Sequence, residues 1–161
     1  MKYAKVRDVK SPERGTSKSA GIDFFVPNDF KATYVHANHD LLIPSGIKVK
    51  IPAGFMLMGA DKSGVATSRT ACLECGREPK KNALRSPLII GAKIIDEDYQ
   101  GEIHIHIINV GMVPVFIEPG MKIAQFILVP VSYANLVEVS ESELFYSASE
   151  RGEGSFGSTD K

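Results

Sequence analysis

Residues 47–51 read Ile-Lys-Val-Lys-Ile, which puts the apolar side chains on one face of an extended chain and the two lysines on the other. Such alternation marks a half-buried β-strand, because successive side chains of a strand point to opposite faces. Turn residues bracket it, Pro44, Ser45 and Gly46 before and Pro52, Ala53 and Gly54 after; proline presets one dihedral and glycine supplies a positive φ. Further alternating or β-branched runs occupy 3–6, 22–26, 55–58, 88–95, 102–108, 113–117 and 123–129. Helix is expected only for a turn or two over 140–145 and near 65–72. The pattern predicts an all-β protein, and strands at this spacing suggest a compact jelly-roll-like barrel.

Composition narrows this. A chain of 161 residues suits one domain able to bury roughly two thirds of its unfolded surface. Lys plus Arg and Asp plus Glu are both 19, so the long-range field that holds a nucleic-acid polymer is absent, while a small anion held locally is allowed. No apolar run reaches the length of a membrane span, and the start Met-Lys-Tyr-Ala-Lys-Val lacks the apolar centre of a signal peptide. A soluble, cytoplasmic protein with no membrane partner is the expectation. Cys72 and Cys75 make no disulfide framework. With Gly76 after them they have the spacing of a zinc knuckle, which His36 and His39 would complete to a tetrahedral set. Reduced cysteines with solvated histidines are the competing reading, which carries more weight because His-x-x-His is tighter than the usual finger spacing.

Candidate chemistry concentrates in residues 91–102, where an apolar strand runs into Asp96, Glu97, Asp98, Tyr99 and Gly101 before the alternating run resumes. This predicts a hairpin with carboxylates at its tip. Acids at a hairpin tip commonly serve the turn itself, by local hydrogen bonding. Alternation puts Asp96 and Asp98 on one face and Glu97 opposite, if the strand persists that far, and spacing does not choose among the three. His104 and His106 share a face of the following strand; they could hold a metal on an oligomer axis, with plain exposure as the simpler reading. From 147 onward the composition shifts to Gly, Ser and charge. That is the composition of a flexible tail, yet its glycines, Arg151 and Ser158 could also wrap phosphate oxygens.

The string Gly-Ala-Lys-Ile-Ile-Asp-Glu-Asp-Tyr-Gln-Gly at 91–101 resembles the third of five motifs of the trimeric dUTP pyrophosphatases, and the other four appear in order. They are Ala-Gly-Ile-Asp at 20–23, Asp-Lys-Ser-Gly-Val-Ala at 61–66, Gly-Met-Lys-Ile-Ala-Gln-Phe at 120–126, and Arg-Gly-Glu-Gly-Ser-Phe-Gly-Ser-Thr at 151–159. The resemblance implies a β-clip fold and a homotrimer with shared active sites. It also implies hydrolysis of dUTP to dUMP and pyrophosphate, which keeps uracil out of DNA. A β-barrel domain over 1–146, carrying an insert at 67–87, would be followed by a flexible lid over 147–161. By motif match Asp96 activates the water that attacks the α-phosphorus. Tyr99 lies under the deoxyribose, where its ring excludes a 2′-hydroxyl. Backbone groups from Gly91 through Ile94 and Ile95 to Tyr99 read the uracil. Lys62, Ser63, Gly64 and Gln125 meet the phosphates, Arg151 pairs with the γ-phosphate, and Phe156 stacks on the base, with Gly157 and Ser158 completing the lid. Asp23 reaches Mg2+ through water, the ion being carried by the phosphates.

Departures from the family pattern are Lys62 and Lys122, where arginine is usual, Lys93, where glycine is usual, and the length of the insert. A lysine is a point charge without the planar fork of a guanidinium. Two other functions were weighed. The related dCTP deaminases carry an acid-base glutamate near the position of His106 and lack the tyrosine and the Phe-bearing tail. A non-catalytic regulator of the same fold would bind a protein partner, and the intact motif residues argue against loss of catalysis.

Overall fold

The computed structural model describes residues 1–67, 86–150 and 152–153. Cys72, Cys75, Arg151, Phe156, Gly157 and Ser158 lie outside the described residues, as does most of the expected insert. Eleven strands and two single-turn helices make up the regular structure: β1 (Lys2–Lys5), β2 (Ile22–Phe25), β3 (Thr33–Val35), β4 (Asp40–Pro44), β5 (Ile47–Lys50), β6 (Phe55–Asp61), α1 (Ser63–Ala66), β7 (Leu88–Ile90), β8 (Ile94–Ile95), β9 (His104–Asn109), β10 (Val115–Ile117), β11 (Lys122–Pro130) and α2 (Glu141–Leu144). The all-β expectation holds.

The strands form a four-stranded sheet in the order β2-β11-β6-β8, a three-stranded sheet β4-β9-β7, and two ribbons, β1-β5 and β10-β3. β5 behaves as its alternation requires, with Ile47 and Val49 buried and Lys48 and Lys50 exposed. The core fills with β-branched and aromatic side chains from both larger sheets, including Leu57, Ile43, Ile105 and Ile107, and the Phe24 and Phe126 rings pack with centroids 4.5 Å apart.

Three expectations need correcting. The run 88–95 is not one strand: it breaks after Ile90, and β8 leaves β9 to pair with β6 in the other sheet, Ile95 opposite Leu57 and Ile94 opposite Met58. The simple hairpin is therefore an excursion between sheets, which local β-propensity cannot distinguish from a continuous strand. β6 runs on through Gly59 and Ala60 to Asp61, because β11 pairs with it over that whole length; Gly59 permits this, since a Cβ there would stand 3.1 Å from Ile90 and 3.4 Å from Phe126. β3 and β4 were not foreseen. In Asp-Leu-Leu-Ile-Pro only Ile43 is buried, so no period of two shows in the sequence.

Asn109 pins the corner where β9 ends. Its Oδ1 accepts from Ser86 Oγ at 2.6 Å and the Gly111 N–H at 3.0 Å, while its Nδ2 donates to the Val35 and Val113 carbonyls at 2.9 and 2.8 Å. A fully buried amide with all four bonds made fixes the loop after β9 to β3. Asn109→Ala strands those partners in the interior, and a loss of about 2–4 kcal/mol in denaturant or thermal unfolding is expected. A variant within 0.5 kcal/mol of the parent, roughly the size of an ordinary surface change, would show the corner is held otherwise.

Candidate active site

β6 carries the candidate residues at its two ends. At the Asp61 end, β2 and β11 bring Asp23 and Gln125 directly opposite one another, with Gln125 also opposite Ala60. Gln125 Nε2 donates to the Asp61 carbonyl at 2.8 Å. Gly21 makes room for that amide, because a Cβ there would fall 2.0 Å from Gln125 Oε1. Asp61 serves the fold: its Oδ1 accepts the Ile90 N–H at 2.6 Å and ties β7 to β6.

Asp23 is 5 % exposed and receives two ammonium groups, Lys62 Nζ on Oδ1 at 3.0 Å and Lys122 Nζ on Oδ2 at 2.9 Å. The two lysines that depart from the usual arginines thus meet on one carboxylate. Burial is the largest single influence and works to raise the Asp23 pKa, but hydrogen bonds from Lys122 and Lys62 together outweigh it and hold the carboxyl below its ordinary value. The Lys122 ammonium is correspondingly pushed up by Asp23. Ser63 and Gly64 follow in the first turn of α1, where a Cβ on Gly64 would meet nothing within 4 Å.

At the other end lie the acids. The strand stops at Ile95, and the turn beyond it is closed by the Tyr99 N–H on the Asp96 carbonyl at 3.2 Å. Glu97 is turned inward: its Oε2 accepts the Gly54 N–H at 2.7 Å and the Tyr133 hydroxyl at 3.0 Å. Asp96 and Asp98 are exposed, and their carboxylates have no hydrogen-bond or ion-pair partner among the described residues. The Tyr133 hydroxyl is raised above its ordinary pKa, first by its bond to Glu97 and also by burial and the charges of Glu97, Asp96 and Asp98. Tyr99 folds back so that its hydroxyl donates to the Glu102 carbonyl at 2.9 Å, and Gly101 is required beneath it, since a Cβ there would lie 2.3 Å from that oxygen. An open cleft of about 560 Å³ adjoins the turn, lined by Asp98, Tyr99 and Gln100 on one side and by Lys2, Lys48 and Lys50 of the β1-β5 ribbon on the other.

Between β7 and β9 the last ladder bond runs from the Gly91 N–H to the His106 carbonyl, 2.9 Å. Ile103 directs both backbone groups to the β4 side, bonding the Ile47 carbonyl and the Ser45 N–H. By strand alternation the His104 N–H and carbonyl point the other way, into the space β7 has vacated. The Lys93 carbonyl is taken by the Gly59 N–H at 2.7 Å and the Ala92 N–H by His106 Nδ1 at 3.0 Å. The His104 backbone groups thus face the place where the chain at 92–95 has left β9 for β6. The sequence suggested exposure or an axial metal pair for His104 and His106, and no local signal linked His106 to Ala92, which lies 14 residues away. His36 and His39 face each other across a turn with ring centroids 6.0 Å apart, and the cysteines expected to join them lie outside the described residues.

Two exposed carboxylates at one end of the central strand, and two lysines gathered on a buried carboxylate at the other, are groups suited to hydrolysis of a small phosphate compound. The chain belongs to the dUTPase family, whose model matches residues 57–160. It is 32% identical over 148 residues to the deoxyuridine 5'-triphosphate nucleotidohydrolase of Chlamydia trachomatis serovar L2, covering 92% of this chain and 89% of the relative. The mouse protein of the same name is 29% identical over 151 residues, covering 94% and 78%. A Staphylococcus bacteriophage 80alpha dUTPase mutant solved with dUpNHpp superposes with a TM-score of 0.76 at 25% identity, over 98% of this chain and 96% of that one. A phage phi11 dUTPase mutant, described with a structural Mg(II) ion, shares the fold with a TM-score of 0.70 at 21% identity, over 88% and 97%.

Asp23→Asn removes the charge both lysines share. A loss of about 2–3 kcal/mol at pH 7 is expected, discounted because the lysines are about a third in water. The carboxyl is depressed on folding, so its contribution is complete above the ordinary value of 3.8 and vanishes as pH falls through the lower folded value. Unfolding measured at pH 7 and below 3.8 should show the gap between parent and variant closing only in acid. A gap independent of pH would contradict the pairing.

Proposed function

We propose that this chain hydrolyses dUTP to dUMP and pyrophosphate with Asp96 as the general base. Family membership supports the reaction, and the state of the acid turn supports the residue: Glu97 is spent on Gly54 and Tyr133, whereas the Asp96 carboxylate is exposed and uncommitted among the described residues. Asp96 takes a proton from water, the water oxygen bonds to the α-phosphorus, and the α–β bridging oxygen leaves with pyrophosphate. The deoxyribose lies on the Tyr99 ring, which leaves no room for a 2′-hydroxyl. Uracil enters the gap beyond the Gly91–His106 bond, where the His104 N–H and carbonyl match its acceptor and N3–H. This narrows the base-reading span, since the Gly91 N–H is itself engaged.

Continuing the register of β8 on β6 one step past Ile95 and Leu57 would set Asp96 opposite Met56, six residues from Lys62. At about 3.3 Å per residue the two lie roughly 20 Å apart, too far for one triphosphate to touch both. This supports sites shared between chains of a trimer, in which Lys62, Ser63, Gly64 and Gln125 of a second copy meet the phosphates. The segment after β11 fits an arm reaching another subunit: Leu136, Val137, Phe145 and Tyr146 are exposed, and α2 buries no residue. Arg151, Phe156, Gly157 and Ser158 would then close over γ-phosphate and base as a lid on the 1–146 domain.

No group of three or more His, Cys, Asp or Glu converges among the described residues, and Asp23 already carries two ammonium groups. These residues fit a Mg2+ brought in on the phosphates and touched by Asp23 through water, not one caged by the chain. Bound there, the ion would neutralise phosphate charge. No helix among the described residues is long and apolar enough to cross a membrane.

Asp96→Asn keeps the side chain's shape but cannot take the proton, so single-turnover pyrophosphate release should fall about 10²–10⁴-fold with binding of a dUTP analogue little changed. A rate within a few fold of the parent would remove Asp96 from the role of base. For sugar selection, Tyr99→Ala should admit UTP and lower the ratio of dUTP to UTP kcat/KM about tenfold or more. An unchanged ratio would place the discrimination elsewhere.

A further inference from the structure

We infer that His106 is a positioning residue for base binding, holding the first peptide of the uracil-reading turn in place only while its imidazole is neutral. The inference rests on the assignment of dUTP to the gap between 92–95 and His104. Two hydrogen bonds define the ring. Its Nδ1 faces the Ala92 N–H at 3.0 Å, and its Nε2 faces Asp40 Oδ2 at 2.9 Å. A peptide N–H is only a donor, so Nδ1 must carry the lone pair and Nε2 the proton that is donated to Asp40. The tautomer is set by its neighbours.

Gly91 is shaped to this ring. A Cβ there would stand 2.3 Å from Nδ1 and 2.6 Å from Cε1, so the glycine opening the third motif is the residue that lets the imidazole reach Ala92. The peptide between Gly91 and Ala92 is planar and trans, so drawing the Ala92 N–H toward the ring turns the Gly91 carbonyl the opposite way. The Gly91 N–H is fixed by the His106 carbonyl as well. His106 thus clamps both ends of the residue at which β7 departs from β9, through its backbone and its side chain, and this departure opens the gap.

Protonation of the ring would place an N–H at Nδ1 against the Ala92 N–H, and the clamp would open. The charged and titratable groups around it are few. Asp40 comes from β4, with His39 just ahead of it in the chain; His104 lies two positions away on the same face of β9, its Nδ1 on the Glu102 carbonyl. β7 contributes only Leu88, Ile89 and Ile90. The Asp40 carboxyl is held below the usual range chiefly by the His106 bond. Being exposed, it is screened by water. Donor against donor at Ala92 is not relieved in that way.

The test is the dissociation constant of the imido analogue dUpNHpp at pH 8 and pH 5.5, for the parent, His106→Asn and His106→Leu. Asparagine keeps an acceptor at the Nδ1 position and does not titrate; leucine has no acceptor. Any effect of acid on the analogue itself is common to all three proteins and cancels in the comparison. Expected are binding by the leucine variant about tenfold weaker at pH 8, near-parent binding by the asparagine variant, and a loss on acidification about tenfold larger in the parent than in the asparagine variant. The Ala92 amide in a ¹⁵N spectrum should shift with pH in the parent and stay put in His106→Asn. Equal acid losses in parent and asparagine variant, or parent-like binding by the leucine variant at pH 8, would overturn the inference while leaving the dUTP assignment intact. Failure of the parent to bind dUpNHpp at pH 8 would sink that assignment and the inference with it.

Discussion

Seven consecutive residue pairs join β6 to β11, and the placement of Gln125 beside Asp61 and Lys62 follows from that pairing. It sets Gln125 against Ala60 and Ala124 against Asp61, which brings the fourth motif to the second. Because β11 also pairs with β2 on its far edge, Asp23 arrives beside the same point. The other edge of β6 accepts β8, and bonds from the Gly59 N–H to the Lys93 carbonyl and from the Gly54 N–H to Glu97 hold the acid turn to it on either side. A single extended strand thus spaces the acid turn from Lys62, Ser63 and Gln125.

The electrostatics are local, as a chain with balanced charge requires. One buried carboxylate at Asp23 gathers two lysines, so that neither ammonium has to be held in place by the long side chain alone. Burial opposes the charged form there, and the two ammonium groups offset it. At the acid turn the solution is the reverse: one of three carboxylates is consumed by a backbone N–H and a phenol, and the other two are left in water. A carboxylate without a structural partner keeps its lone pairs free to accept. Glu97 makes the turn rigid; Asp96 is displayed by it.

Much was legible along the chain. The alternation of Ile47, Lys48, Val49 and Lys50 became β5 with its faces as expected, because a period of two survives whatever the strand pairs with. The five motif strings identified the family, since they record residue types that the reaction itself demands. The turn at 96–99 was expected from its acids and glycine; the strand ends at Ile95, so alternation does not reach the acids, and Glu97 is set apart by its bond from the Gly54 N–H.

What the sequence could not decide was partnership. β8 reads as a continuation of β7, and only the sheet shows it crossing to β6. Asp23 and Lys62 are 39 residues apart, His106 and Asp40 are 66, and Asn109 and Val35 are 74. No local propensity encodes such contacts; they exist because long-range strand pairing brings particular registers together, and one step of slip would turn each side chain to the other face. The residue types that do the chemistry were fixed along the chain, while the hydrogen bonds that commit Glu97, free Asp96 and aim His106 at Ala92 were decided by which strands the fold laid side by side.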